Sequence, residues 1–205
     1  MDGIQVVAFD CDGVMFDTIQ ANKAFYNRIL NHLGRPDMTT EQFDYANMHT
    51  ADEVLAYLFS DEKLLEAAQA YRFRMSYLPF IPFMQIEPYL KTLLKRLRPQ
   101  YKTAIATNRS DSIGPVLDFY GLTHDFDIVV SALDVKQPKP HPEQLEQIMW
   151  QYRIDPAQMI YIGDSKLDEM AARAAGVRLV AYNNLELNAD YHIQGLKEVE
   201  TILGL

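Results

Sequence analysis

One cysteine, Cys11, occurs in 205 residues, so no disulfide can form within the chain and burial alone must hold the fold. Long apolar runs are missing too. None approaches the roughly 18–20 residues that cross a bilayer, and the opening Met1-Asp2-Gly3-Ile4-Gln5 lacks the basic start of a secretory signal. The expectation is a soluble, cytoplasmic protein with no membrane partner. Positive charge is scarce, with 19 Lys and Arg against 28 Asp and Glu, a formal net charge of −9 and no dense basic stripe. Nucleic acid is therefore excluded as an expected partner, because nothing would neutralise its phosphates. An acidic chain that handles an anion needs a metal ion or a few placed cations, since its overall field repels the ligand. Internal repeats and low-complexity tracts are also lacking.

What is present is ordinary for a globular chain: 48% hydrophobic and 23% charged residues, enough for one core and a smaller insert. Short β-branched or aromatic runs predict buried parallel strands at Val6–Phe9, Thr103–Ala106, Ile128–Val130, Met159–Ile162 and Leu179–Tyr182. Apolar residues at three- and four-residue spacing predict helices over Tyr89–Leu97, Ile113–Tyr120, Pro142–Tyr152 and Leu167–Ala175. This alternation specifies an α/β fold with a doubly wound parallel sheet. From Thr18 to about Met84 only helical periods occur, with Ile19, Tyr26, Ile29, Leu30 and Leu33 on one face closed by Gly34. Asp17-Thr18-Ile19-Gln20 and Thr50-Ala51-Asp52-Glu53 are expected to start helices as capping boxes. Leu78-Pro79-Phe80-Ile81-Pro82 ends the helical block. The expected division is a core of residues 1–16 and 83–205 with an inserted α-helical cap, 17–82.

Open parallel sheets bind ligands beyond the carboxyl ends of their strands. There the chain places Asp10-Cys11-Asp12-Gly13, Thr107-Asn108, Lys136-Gln137-Pro138-Lys139-Pro140 and Gly163-Asp164-Ser165-Lys166-Leu167-Asp168. Four carboxylates, a hydroxyl and a lysine should converge on one edge. Clustered carboxylates repel one another unless a cation compensates, and hard oxygen donors without His or Cys favour Mg2+. A carboxylate is also a covalent nucleophile in phosphoryl transfer, which points to that reaction class.

Asp10-Cys11-Asp12-Gly13-Val14-Met15-Phe16-Asp17-Thr18 resembles the first motif of the haloacid dehalogenase superfamily. Thr107 stands where the second motif has Ser or Thr, Lys139-Pro140 matches the lysine motif, and Gly163-Asp164-Ser165-Lys166-Leu167-Asp168 matches the acidic fourth motif, all in family order up to about Val180. The helical gap between the first two motifs resembles the capped subgroup that includes phosphoglycolate phosphatase and β-phosphoglucomutase. The resemblance implies a Rossmann-like core and a Mg2+-dependent phosphatase acting on a small phosphate ester. It implies that Asp10 is the nucleophile and a metal ligand, and that Asp12 is the general acid and base with its backbone carbonyl on the metal. Thr107, Asn108 and Lys139 would bind the phosphoryl group, Asp164 would bind the metal, and Asp168 would hold metal-bound water or position Lys139.

Asn22, His49, Tyr57, Arg72 and Arg109 are candidates for reading the leaving group, and phosphoglycolate is the compact substrate singled out. Phosphomutase activity is the alternative, encouraged by Val14 but opposed by Asn22 where that branch would want histidine. A non-catalytic phospho-aspartate module is a third reading, against which the size of the insert counts. Cys11 reads as a small buried hydrophobe, and Lys136 and Lys166 as solvated surface charges.

Overall fold

The computed structural model describes residues 3–46 and 51–205. In chain order its strands are β1 (Val6–Phe9), β2 (Phe16–Asp17), β3 (Gln85–Ile86), β4 (Lys102–Ala106), β5 (Ile128–Val130), β6 (Met159–Gly163), β7 (Arg178–Tyr182) and β8 (Tyr191–Ile193). The helices are α1 (Ile19–His32), α2 (Thr40–Ala46), α3 (Ala51–Leu58), α4 (Glu62–Arg74), α5 (Leu90–Leu97), α6 (Ile113–Phe119), α7 (Glu143–Tyr152), α8 (Lys166–Ala175) and α9 (Glu198–Leu203). The chain divides into two compact units, Met1–Asp17 with Ile86–Leu205, and Thr18–Gln85.

The first unit is a six-stranded sheet in the order β5-β4-β1-β6-β7-β8, parallel at every pairing. From β1 the chain proceeds outward through β4 and β5, then returns to the other side of β1 for β6. That reversal sets the carboxyl ends of β4, β1 and β6 side by side at a topological switch point, where open α/β sheets hold ligands. The register aligns Phe9 with Ile105 on one side and with Ile162 on the other, so Asp10, Ala106 and Gly163 come next at one level.

Strands β1 and β6 are buried along their whole length, which is why they read as continuous apolar runs instead of alternating ones. Leu145, Ile148 and Met149 of α7 and Ala171, Ala172 and Ala175 of α8 pack against Val6, Ala8, Ala104, Ala106 and Met159. Each large side chain buried there contributes roughly 1.5–3 kcal/mol. The leucine stripe Leu90, Leu93, Leu94 and Leu97 of α5 is fully buried as well. The second unit, α1 to α4 with a 3-10 turn over Leu78–Phe83, has its own core of Tyr26, Ile29, Leu30, Val54, Leu55 and Phe59. No helix among the described residues is long and apolar enough to cross a membrane.

The doubly wound parallel sheet expected from the sequence is present, with differences in detail. β8 and α9 are additional. Helix α1 starts from Thr18, whose side chain makes no capping bond. Ile19 is 42% exposed and leaves the expected apolar face. True capping occurs at Asp61, which accepts from the Leu64 N–H at 3.0 Å, and at Thr39, which exchanges bonds with Gln42. Thr50 and His49 lie outside the described residues.

Candidate active site

The groups of the candidate site stand at and beyond the carboxyl ends of β1, β4 and β6, in the loop after β5 and in the first turn of α8, all in the first unit. Asp10 leaves β1 with its N–H bonded to the Ile162 carbonyl of β6 at 2.8 Å. The chain then turns tightly, with Phe16 and Met15 N–H groups both on the Cys11 carbonyl at 3.1 Å. Gly13 takes φ +82°, and a Cβ there would lie 2.0 Å from Asp164 Oδ2. Glycine is required at this position twice over, for its left-handed backbone and for the close approach of a carboxylate. Gly163 is confined in the same way by the Asp168 side chain, 2.4 Å from where a Cβ would stand.

Lys139 is the hub. Its side chain is only 3% exposed, and its ammonium donates to Asp10 Oδ1 at 2.7 Å, Asp168 Oδ1 at 2.7 Å and the Tyr161 hydroxyl at 2.8 Å. An ammonium has three protons, so this set accounts for all of them. Burial alone would pull the lysine towards its neutral form, but the Asp10 and Asp168 carboxylates hold its proton above the ordinary range. Asp168 also caps helix α8: its Oδ2 accepts from the Ser165 N–H at 3.0 Å and the Ser165 hydroxyl at 2.5 Å, while Ser165 Oγ accepts from the Asp168 N–H. Burial opposes its charge, but Lys139 and these bonds outweigh burial and keep Asp168 ionised below the usual carboxylate range.

Asp10, Asp164 and Asp168 each offer an oxygen within 4.8 Å of the others. Burial pushes Asp10 well above the ordinary carboxylate range despite the pull of Lys139. Burial, and then the charge of Asp168, push Asp164 up to about 7. Both shifts are the signature of carboxylates crowded without enough positive charge. With hard oxygen donors only, and Asp164 drawn close by the bare Gly13, the cluster fits a small divalent cation such as Mg2+.

Asp12 stands apart from that cluster. Its Oδ1 accepts from Arg109 Nε at 2.9 Å and Nη2 at 2.7 Å, and Arg109 Nη1 reaches Ser112 Oγ at 3.2 Å. Arg109 is 7% exposed at its side chain and Asp12 38%. Thr107, buried, accepts the Arg109 N–H on its hydroxyl at 3.1 Å, leaving the hydroxyl proton to be donated elsewhere. Asn108 uses one amide proton on the Lys139 carbonyl at 2.9 Å, which steadies the lysine loop.

These strand ends carry the lysine and three carboxylates of the sequence-based expectation in one place, with the fourth carboxylate on a separate guanidinium. A match to the haloacid dehalogenase-like hydrolases runs over residues 7–182. The chain belongs to this family. Among relatives of this hydrolase is a phosphoglycolate phosphatase from Aliivibrio fischeri, 28% identical and covering 92% of this chain and 90% of its own. A pyrophosphatase from Bacillus velezensis is also 28% identical, over 85% of this chain and 81% of its own. The crystal structure of a haloacid dehalogenase-superfamily hydrolase of subfamily IA from Geobacter sulfurreducens superposes with a TM-score of 0.87 and 36% identity, covering 98% of this chain and 97% of that one. A β-phosphoglucomutase from Clostridium difficile shares the fold at a TM-score of 0.75 and 23% identity, over 98% of this chain and 96% of its own.

Sequence reasoning did not single out Tyr161, Gln144 or Ser165. Gln144, fully buried, donates to the Thr107 carbonyl at 2.7 Å and so braces that strand end. The Ser165-x-x-Asp168 spacing is a capping signal legible in the sequence. Arg109 is the partner of Asp12, a role its sequence position does not betray. In the helical unit, Arg72 pairs with Asp52 at 2.9 Å, Tyr57 stacks on Tyr45, and the Asn22 carbonyl oxygen accepts from Tyr77 at 3.2 Å. Lys136 is exposed, as is Lys166, which pairs with Glu169.

Proposed function

We propose that this hydrolase is a Mg2+-dependent phosphatase of small phosphorylated metabolites, working through an aspartyl phosphate on Asp10. The observation that carries the reading is the buried Lys139 clamped between Asp10 and Asp168, with Asp164 at the same edge. One carboxylate oxygen of Asp10 would bond to phosphorus as the ester P–O bond breaks, and Asp12 would give its proton to the leaving oxygen. Water would then attack the same phosphorus while Asp12 takes its proton, and the bond to Asp10 would break. Lys139 and the Thr107 hydroxyl would carry the charge on the phosphoryl oxygens. The Asp10 and Asp164 carboxylates and the Asp12 carbonyl would hold the metal ion, which when bound neutralises phosphate charge at this acidic edge.

Phosphoglycolate is the first substrate to test, on the strength of the relatives' names and the compact ester the reading calls for. Purified protein with Mg2+ should release phosphate from it faster than from pyrophosphate or a hexose phosphate. Absence of turnover across a broad panel of phosphate esters would reject the reading.

A further inference from the structure

We propose that Tyr161 is a positioning residue for Lys139, resting on the phosphatase reading above. Its ring belongs to the core cluster formed by Val6, Ala8, Ala104 and Met159, a place phenylalanine would fill equally well. The hydroxyl is what differs, and it is spent on the site. It lies 2.8 Å from the Lys139 ammonium, 2.7 Å from Asp168 Oδ1 and 3.1 Å from the Ala106 carbonyl. The ammonium is 5.5 Å from the ring centroid, which with the 2.8 Å contact places it beyond the tip of the ring and not over its face. The contact is therefore a hydrogen bond, with the phenol proton directed to Asp168 or Ala106 and its lone pair to the lysine.

Two carboxylates fix the ammonium by charge but leave it a swing about the line between them. A third, uncharged acceptor from the rigid strand β6 removes that freedom. It does so without adding negative charge to an edge that must admit an anion. A phosphoryl group forming or breaking bonds at Asp10 then meets a lysine already oriented, so the gain belongs to the transition state more than to the ground state.

The test compares the wild-type chain, Tyr161→Phe, Lys139→Met and the double variant, all with Mg2+. Tyr161→Phe should lower kcat on p-nitrophenyl phosphate about tenfold while KM moves by less than about threefold, the split expected when only transition-state binding is lost. Orthovanadate, which adopts the five-coordinate geometry of the transferring group, should bind about tenfold more weakly by calorimetry, with inorganic phosphate binding little changed. Added to Lys139→Met, the tyrosine change should cost nothing further, because the two act as one unit. Unchanged kcat and unchanged vanadate binding overturn the proposal, as does a full multiplicative loss in the double variant. So does a lowered melting temperature with the vanadate-to-phosphate ratio intact, which would make the hydroxyl purely structural. A wild type that hydrolyses no phosphate ester rejects the phosphatase reading separately, and the vanadate comparison then decides the role of Tyr161.

Discussion

Arg109 grips Asp12 by a single carboxylate oxygen, from Nε at 2.9 Å and Nη2 at 2.7 Å. The two aspartates of the first strand end, only two residues apart, thus have different counter-charges: a buried lysine for Asp10 and a buried arginine for Asp12. Environments that differ in this way let two chemically identical side chains take different roles.

That division predicts opposite behaviour for two variants. Asp10→Asn should form no phosphoenzyme at any pH, because an amide is a poor nucleophile. Asp12→Asn should lose roughly 10²–10⁴-fold in turnover yet still load phosphate onto Asp10 from a substrate with a good leaving group. Rapid quench with peptide mass spectrometry reads both outcomes. Phosphate mapped to a serine, threonine or histidine would refute the assignment.

Gly13→Ala tests the packing of Asp164. Its Cβ would meet Asp164 Oδ2 at 2.0 Å, and φ +82° is strained for alanine. The variant should need at least about tenfold more Mg2+ for half-maximal activity, by displacing the proposed metal ligand. An unchanged Mg2+ titration would detach Asp164 from the metal.

Stability of the metal-free protein should fall as pH rises from about 4 to 7. Asp164 holds its proton up to about 7 in the folded chain, against about 3.9 unfolded. The folded state therefore binds more protons across that window, and raising the pH favours unfolding. Asp10, also raised, acts in the same direction. Asp168 is held low, so its contribution is complete above its unfolded value and is lost only in acid. Melting in chelator should drop by several degrees over this range, on the order of 2–4 °C per kcal/mol for a chain of this size. Mg2+ should erase most of the drop. A flat metal-free profile would contradict the crowding of Asp164 and Asp168.

Lys139→Met should destabilise as well as inactivate. Removing the common counter-ion of two buried carboxylates costs roughly 3–5 kcal/mol, which calorimetry or denaturant titration would detect. Full stability would mean that Lys139 does not hold both carboxylates in solution.

The sheet was readable from sequence because its strands are local apolar runs and its chemistry sits in short segments just after them. Asp10, Asp164 and Lys139 could be placed at one edge by topology alone. What could not be read were partnerships across the chain. Arg109 meets Asp12 across 97 positions and Tyr161 meets Lys139 across 22, and no local pattern records either. Strand β8 was hidden because two of its three residues, Tyr191 and His192, are exposed and polar-tipped. The start of α1 shows a different limit, since Thr18 stands at the N-cap without its side chain capping, and a Ser or Thr before a helix permits a cap without enforcing one.

Asp168 completes the first turn of α8 with one oxygen and holds Lys139 with the other. Local opening of that helix end and release of the lysine are thus a single event. Amide exchange at Ser165 and Asp168 becomes a gauge of how often the site comes apart in the native state, and heat should silence the protein at the temperature where this one turn frays, ahead of the sheet beneath it.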